Sequence, residues 1–380
     1  MKKILIVFLI IILSFKVEAK ELVPNATSAI LIDPNSKKIL YEKNIYDEVS
    51  IASLTKMMGL ILIFEKIESG EIKYTDKVVA SENAAAMGGS QIWLSAGEEL
   101  TVDELLKGII MASANDGIVA MAEYVGGSED NFVKMMNKKA KDLGLLHTHF
   151  VNPTGLDEKG HYSSAYDLGI IASELMKHTD VFKYTTIYED YLRKNTNNKF
   201  WLVNTNKLLK SYKGVDGLKT GMTDNAGYCM AVTAKRGDMR ILAIVLGEKE
   251  GKVRNSETAE LLDYGFNNYE VVTIKKRHDK VGDITFDKAI PEKIDITVDE
   301  DIVIMEKKGN NKKEYQSEVK LDNLKLPIKN GEVIGKLLIK DENEVVKEVI
   351  LKSNQDMKKR GFFDLLGNTL KSMFTGDLVS

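Results

Sequence analysis

From Leu54 to Ile67 the chain is almost continuously apolar, a run too long for a strand that stops at Ser69-Gly70. Such a segment has little polar surface to offer water, so it predicts a helix buried within a core, around which the neighbouring chain must pack.

The surrounding sequence predicts those layers. Ala29-Ile30-Leu31-Ile32 and Ile39-Leu40-Tyr41 flank the turn-forming Asp33-Pro34-Asn35-Ser36 and read as a hairpin. Thr101-Val102-Asp103-Glu104 has the capping-box spacing, in which hydroxyl and carboxylate satisfy reciprocal backbone donors, and opens a helix through Met111. Ser128 caps a helix from Glu129 to Leu143, with Gly144 as its stop. Ser164 and Asp167 have capping-box spacing before Leu168–Met176. Gly227 to Ala234 and Met239 to Gly247 are β-rich and joined by Lys235-Arg236-Gly237-Asp238, a second hairpin. Residues 20–269 therefore read as an α+β unit with helices around an antiparallel sheet.

The ends differ in texture. Lys2 and Lys3 precede an apolar run from Ile4 to Phe15, and Val17-Glu18-Ala19 places small residues where an export signal is cleaved, so residues 1–19 predict a signal peptide. The run is shorter than the roughly 20 residues that span a bilayer. After Tyr269, β-branched runs alternate with charged turns (Val271–Ile274, Ile284–Phe286, Ile294–Val298, Ile302–Met305, Val319–Leu321, Val333–Ile339, Val345–Leu351) and predict a small all-β domain over 270–355. Region 356–380 predicts an amphipathic, membrane-anchoring helix. Phe362, Phe363, Leu365, Leu366, Leu370, Met373 and Phe374 fall on one face, Arg360, Asp364 and Lys371 lie opposite, and Lys358-Lys359-Arg360 precede the apolar residues.

The full chain of 380 residues has a net charge of −3, and losing residues 1–19 removes three lysines and one glutamate, which takes it to −5. No global basic character points to nucleic acid. The single cysteine, Cys229, excludes an intramolecular disulfide and a thiolate-cluster metal site, and reads as a core residue. His147-Thr148-His149 lacks the further ligand spacing of a zinc site, so neither metal nor cofactor is expected.

The chemistry points to serine. Ser53-Leu54-Thr55-Lys56 opens the buried helix, and residues three apart share a face, so hydroxyl and amine come within hydrogen-bond reach. Pressed against apolar chain, that lysine should lose some of its charge and accept the serine proton. Alone, S-x-x-K equally describes a serine cap beside a solvated lysine. Two further elements follow, Ser113-Ala114-Asn115 at a helix-loop-helix corner and Lys219-Thr220-Gly221 leading into the Gly227 strand, where glycine permits close approach.

In this order the three elements resemble the penicillin-recognising serine enzymes. The stretches Ala52-Ser53-Leu54-Thr55-Lys56-Met57-Met58, Ala112-Ser113-Ala114-Asn115-Asp116, His149-Phe150-Val151-Asn152-Pro153-Thr154-Gly155-Leu156-Asp157 and Asp216-Gly217-Leu218-Lys219-Thr220-Gly221 narrow the likeness to the low-molecular-mass penicillin-binding proteins, the D-alanyl-D-alanine carboxypeptidases. Ile51 stands where many relatives carry proline.

This resemblance implies a β-lactamase/transpeptidase-like catalytic domain that removes the terminal D-alanine from peptidoglycan stem peptides and is acylated by β-lactams. It implies Ser53 as nucleophile, Lys56 as base, Ser113 as a proton relay joined to both lysines, and Asn115 bonded to the substrate backbone. The backbone N–H groups of Ser53 and Met222 would bind the oxyanion, while Lys219, Thr220 and Gly221 would hold the terminal carboxylate end. Arg254 matches a position near that carboxylate, or else is a surface residue opening the last helix of the domain. A β-lactamase is the nearest rival, but the usual E-x-x-L-N run is absent; a non-catalytic wall-binding scaffold is another, against which the intact polar set argues.

Overall fold

The computed structural model describes residues 21–287, 289–309 and 313–361. The expected leader and residues 362–380 of the expected amphipathic tail lie outside the described residues.

Five antiparallel strands form the central sheet, in the order Ile39–Lys43, Ser28–Ile32, Met239–Glu248, Gly227–Arg236, Val215–Thr223. Both predicted hairpins are present, and the sheet is completed by pairing the first with the second, Ala29 opposite Val245. Side chains alternate between two buried faces. Ile30, Ile32, Leu242 and Ile244 belong to one core, and Ala29, Leu31, Ile241 and Ala243 to the other. Burial on both faces accounts for strands that are apolar throughout.

On the second face lies the terminal helix, Gly251–Asn268, through Leu261, Leu262 and Phe266. The first face carries a helical layer. The apolar helix spans Lys56–Glu68, buries every residue from Lys56 to Phe64, and packs on helices Asn115–Gly126, Glu129–Asp142 and Ala165–Leu175. Truncating one of its fully buried leucines or isoleucines to alanine removes about 2–5 kcal/mol. The helix begins later than Leu54, because Ala52–Thr55 form a separate 3-10 turn. Ser53 therefore sits in that turn and caps nothing.

The Thr101/Glu104 capping box forms as expected, and Ser128 caps its helix through Asn131 N. At Ser164 the hydroxyl accepts from Asp167 N, but the Asp167 carboxylate accepts from His147 N and Thr148 Oγ1, at 2.8 and 2.7 Å. It ties the 147–148 loop to the helix start and does not complete a reciprocal box.

Beyond Tyr269 the described chain is all β, in four small antiparallel sheets around Ile294, Ile296, Ile304, Leu337, Ile339, Leu351 and Met357. Met357 is fully buried there, Lys358–Lys359 pairs with Ala289–Ile290, and Arg360 forms an ion pair with Glu292. These cations, read in sequence as part of the tail, are built into the β unit.

Candidate active site

Three segments distant in sequence converge, one of them the edge strand Val215–Thr223. The 3-10 turn supplies Ser53, the first turn of the apolar helix supplies Lys56, the corner between helices Val102–Met111 and Asn115–Gly126 supplies Ser113 and Asn115, and the edge strand supplies Lys219 and Thr220. Ser113 adopts a left-handed φ of 63°, which turns the chain sharply between the two helices. At Gly221, an added Cβ would stand 2.9 Å from both Ser53 N and Ala52 Cβ, so glycine is what lets this strand close on the nucleophile turn.

Lys56 is fully buried, with Nζ 3.0 Å from Ser53 Oγ, 2.6 Å from Asn115 Oδ1 and 2.7 Å from Thr154 O. The amide and carbonyl oxygens only accept. A neutral amine has two protons, and these two oxygens take both, leaving its lone pair for Ser53. Burial, and then the Lys219 ammonium, hold Lys56 well below its ordinary value, opposed by Asp116. The geometry and the electrostatics thus favour the same species, a neutral amine poised to accept the Ser53 proton.

Lys219 Nζ donates to Ser113 Oγ at 2.7 Å and to Thr220 O at 2.8 Å. Burial, with the Arg254 charge adding to it, pushes this amine down to about 7. Arg254 opens the terminal helix yet is only 7% exposed, with its guanidinium 3.4 Å from Cys229 O and over the Tyr228 ring; it is not a surface residue. Thr220 Oγ1 lies 2.7 Å from Thr205 Oγ1.

Two expected links differ. Ser113 bonds Lys219, whereas the bonds of Lys56 go to Ser53, Asn115 and Thr154. The Asn115 side chain bridges Lys56 to the Gly88 carbonyl, at 2.6 and 2.7 Å, and is committed within the protein where a substrate-backbone contact was expected. The Asn115 backbone N–H also donates to Ser90 O, and the neighbouring Asp116 carboxylate accepts from Ile92 N and Leu94 N, so this corner holds the whole 88–94 loop against the site. Met222 is 54% exposed near the end of the edge strand.

Residues 15–250 match the D-alanyl-D-alanine carboxypeptidase family model, peptidase S11, and residues 269–359 match the C-terminal domain of penicillin-binding protein 5. The chain belongs to the D-alanyl-D-alanine carboxypeptidase family. It is 49% identical over 351 residues to the D-alanyl-D-alanine carboxypeptidase DacF of Bacillus subtilis, covering 92% of this chain and 90% of that one. It is 34% identical to DacA of Escherichia coli, over 92% and 88%. Among solved structures, penicillin-binding protein 5 of Haemophilus influenzae superimposes with a TM-score of 0.69 at 30% identity, covering 88% of this chain and 98% of that one. Ampicillin-bound penicillin-binding protein D2 of Listeria monocytogenes does so with 0.58 at 32%, over 64% and 98%.

This carboxypeptidase is a serine hydrolase with the expected transpeptidase-like and C-terminal β domains, and its likeness to DacF and DacA runs through the β domain. Sequence reading missed several residues of its site. Thr154 acts through a backbone carbonyl, which no side-chain pattern announces. Thr205 meets Thr220, and His161 meets the Thr55 hydroxyl between Ser53 and Lys56, both from far along the chain, and only the polar identity of Thr55, inside an otherwise apolar run, was a visible signal.

Proposed function

We propose that this enzyme removes the terminal D-alanine of peptidoglycan stem peptides by acylating Ser53. The observation that carries the reading is the Lys56 amine, buried, held by two acceptors and 3.0 Å from Ser53 Oγ. Lys56 takes the Ser53 proton as the oxygen bonds to the penultimate D-alanine carbonyl. The N–H groups of Ser53 and Met222 hold the developing oxyanion, each such donor being worth about 10²–10³ in rate. As the C–N bond breaks, the proton that Lys56 took from Ser53 passes by way of the Ser113 hydroxyl, which Lys219 holds, to the departing D-alanine amine, and Lys56 is neutral again. Lys219, Thr220 and Arg254 attract the substrate's terminal carboxylate, and Gly221 leaves room for its backbone beside the strand. Asn115 orients Lys56. Water then attacks the ester and gives its proton to Lys56, which returns it to Ser53 Oγ as the ester C–O bond breaks. None of these steps calls on a metal or cofactor.

The same chemistry opens a β-lactam ring, which leaves a stable adduct. Intact-mass measurement after incubation with labelled penicillin should show one adduct on the wild type and none on Ser53→Ala. No wild-type adduct, or an equal adduct on Ser53→Ala, overturns the assignment.

Export by the 1–19 leader and membrane attachment by the 362–380 segment would place the enzyme on the outer face of the cytoplasmic membrane, beside its polymer. Among the described residues no helix is long and apolar enough to cross a membrane. Support for this placement is the aromatic-rich amphipathic pattern of residues 362–380, the Lys358-Lys359-Arg360 cations directly before it, and the substrate class itself.

A further inference from the structure

Thr55 lies between the nucleophile and the base, is fully buried, and directs its hydrogen bonds away from both. Thr55 Oγ1 is 2.8 Å from Ala52 O and 2.7 Å from His161 Nε2, and His161 Nδ1 is 3.1 Å from Val151 N. An amide N–H only donates, so Nδ1 accepts and the proton of the neutral ring is on Nε2. That N–H donates to Thr55 Oγ1. The threonine proton then turns to the Ala52 carbonyl, which only accepts. Every bond in the line has one polarity, and burial, which pushes the His161 imidazole down to about 4, preserves it at neutral pH.

The line ends on a peptide group that matters. Ala52 O and Ser53 N–H are opposite ends of one planar unit, so holding the oxygen aims the N–H the other way. Ala52 has a φ of 47°, a left-handed conformation disfavoured for a residue with a Cβ, which needs outside contacts to persist. Gly155 provides the opposing wall, since a Cβ there would stand 1.9 Å from Ala52 O.

We infer that Thr55 and His161 are positioning residues that lock the Ala52–Ser53 peptide plane and thereby aim the Ser53 N–H at the oxyanion. The inference rests on the reading of Ser53 as nucleophile with its own N–H as oxyanion donor. Accepting the Thr55 proton also polarises the peptide and strengthens that N–H as a donor.

The test is single-turnover acylation of the full chain by benzylpenicillin, separating the limiting acylation rate from non-covalent affinity. Thr55→Val keeps the volume and loses the donor; its acylation rate should fall about tenfold or more with affinity unchanged, and Thr55→Ser should recover most of the loss. With a thionoester substrate, whose sulfur is a weak acceptor, the Thr55→Val deficit should shrink. Equal rates for wild type and Thr55→Val, a Thr55→Ser enzyme as slow as Thr55→Val, or a deficit unchanged by sulfur overturns the inference. If Thr55→Val does not fold, the His161 pair decides. His161→Gln can supply both a donor and an acceptor, as the neutral ring does, and should stay fast, His161→Phe should be slow, and equal rates for these two overturn the inference. A wild type without an adduct on Ser53 overturns the nucleophile assignment instead.

Discussion

Lys56 Nζ lies 2.7 Å from the carbonyl oxygen of Thr154, 98 residues further along the chain. This bond, with that to Asn115, occupies both protons of the neutral amine and turns its lone pair to Ser53.

Lys56→Gln should therefore lower acylation by about 10²–10⁴, the usual worth of a positioned base. The melting temperature should hold or rise, because a buried amine is lost. In the wild type, acylation should rise with pH as the depressed Lys56 deprotonates, which stopped-flow with a chromogenic β-lactam would follow. A variant of undiminished rate would exclude Lys56 as base.

Arg254→Gln should move the alkaline limb of kcat/KM upward in pH for a substrate bearing a terminal carboxylate. Lys219 is held at about 7 by burial first and by Arg254 second, so removing the arginine charge favours the ammonium. The carboxylate-binding charge then survives to higher pH, by a fraction of a unit because burial remains. A limb that stays put, or moves down, contradicts the electrostatic link.

Glu248 is fully buried beside Glu257, and burial, then the Glu257 carboxylate, push its carboxyl up to about 8, against the weaker pull of Lys43 and Arg254. A carboxyl raised on folding binds its proton more tightly in the folded chain, so wild-type stability falls as pH rises from about 4.5 to about 8. Glu248→Gln has no such loss. Its advantage in thermal unfolding should be near zero at the acid end and grow to several degrees at the alkaline end, at about 2–4 °C per kcal/mol. A difference independent of pH would show that folding leaves the Glu248 carboxyl unshifted.

Because Met357 and Lys358–Lys359 belong to the β unit, a chain ending at Gly361 should keep its melting temperature and β-lactam acylation while losing most of its binding to lipid vesicles, which rests on the apolar face of the removed segment. Equal vesicle binding by the full and shortened chains would exclude residues 362–380 as the anchor.

The local elements were largely legible. The Leu54–Ile67 run had to be a buried helix, the capping box at Thr101 formed, and both hairpins lie where their turns put them, because each depends on neighbours within a few residues. Ser53, Lys56, Ser113, Asn115, Lys219 and Thr220 were legible through spacing and order, and they do meet in one site. Less visible was how they meet. The Ser113 partner is Lys219, Asn115 faces inward to Lys56 and Gly88, and Asp167 serves a distant loop, since a polar side chain bonds whichever group the fold brings nearest.

By itself, then, the sequence singled out the groups proposed to do the chemistry, because a serine, two lysines and a small polar corner carry their reactivity in their own atoms. It also determined the helices and hairpins that present them. Tertiary structure alone decided the protonation state and the aim. Burial and a second lysine on the edge strand hold Lys56 well below its ordinary value, and its amine is aimed by a carbonyl 98 residues away. These effects fall steeply with distance and angle, and a linear sequence contains neither.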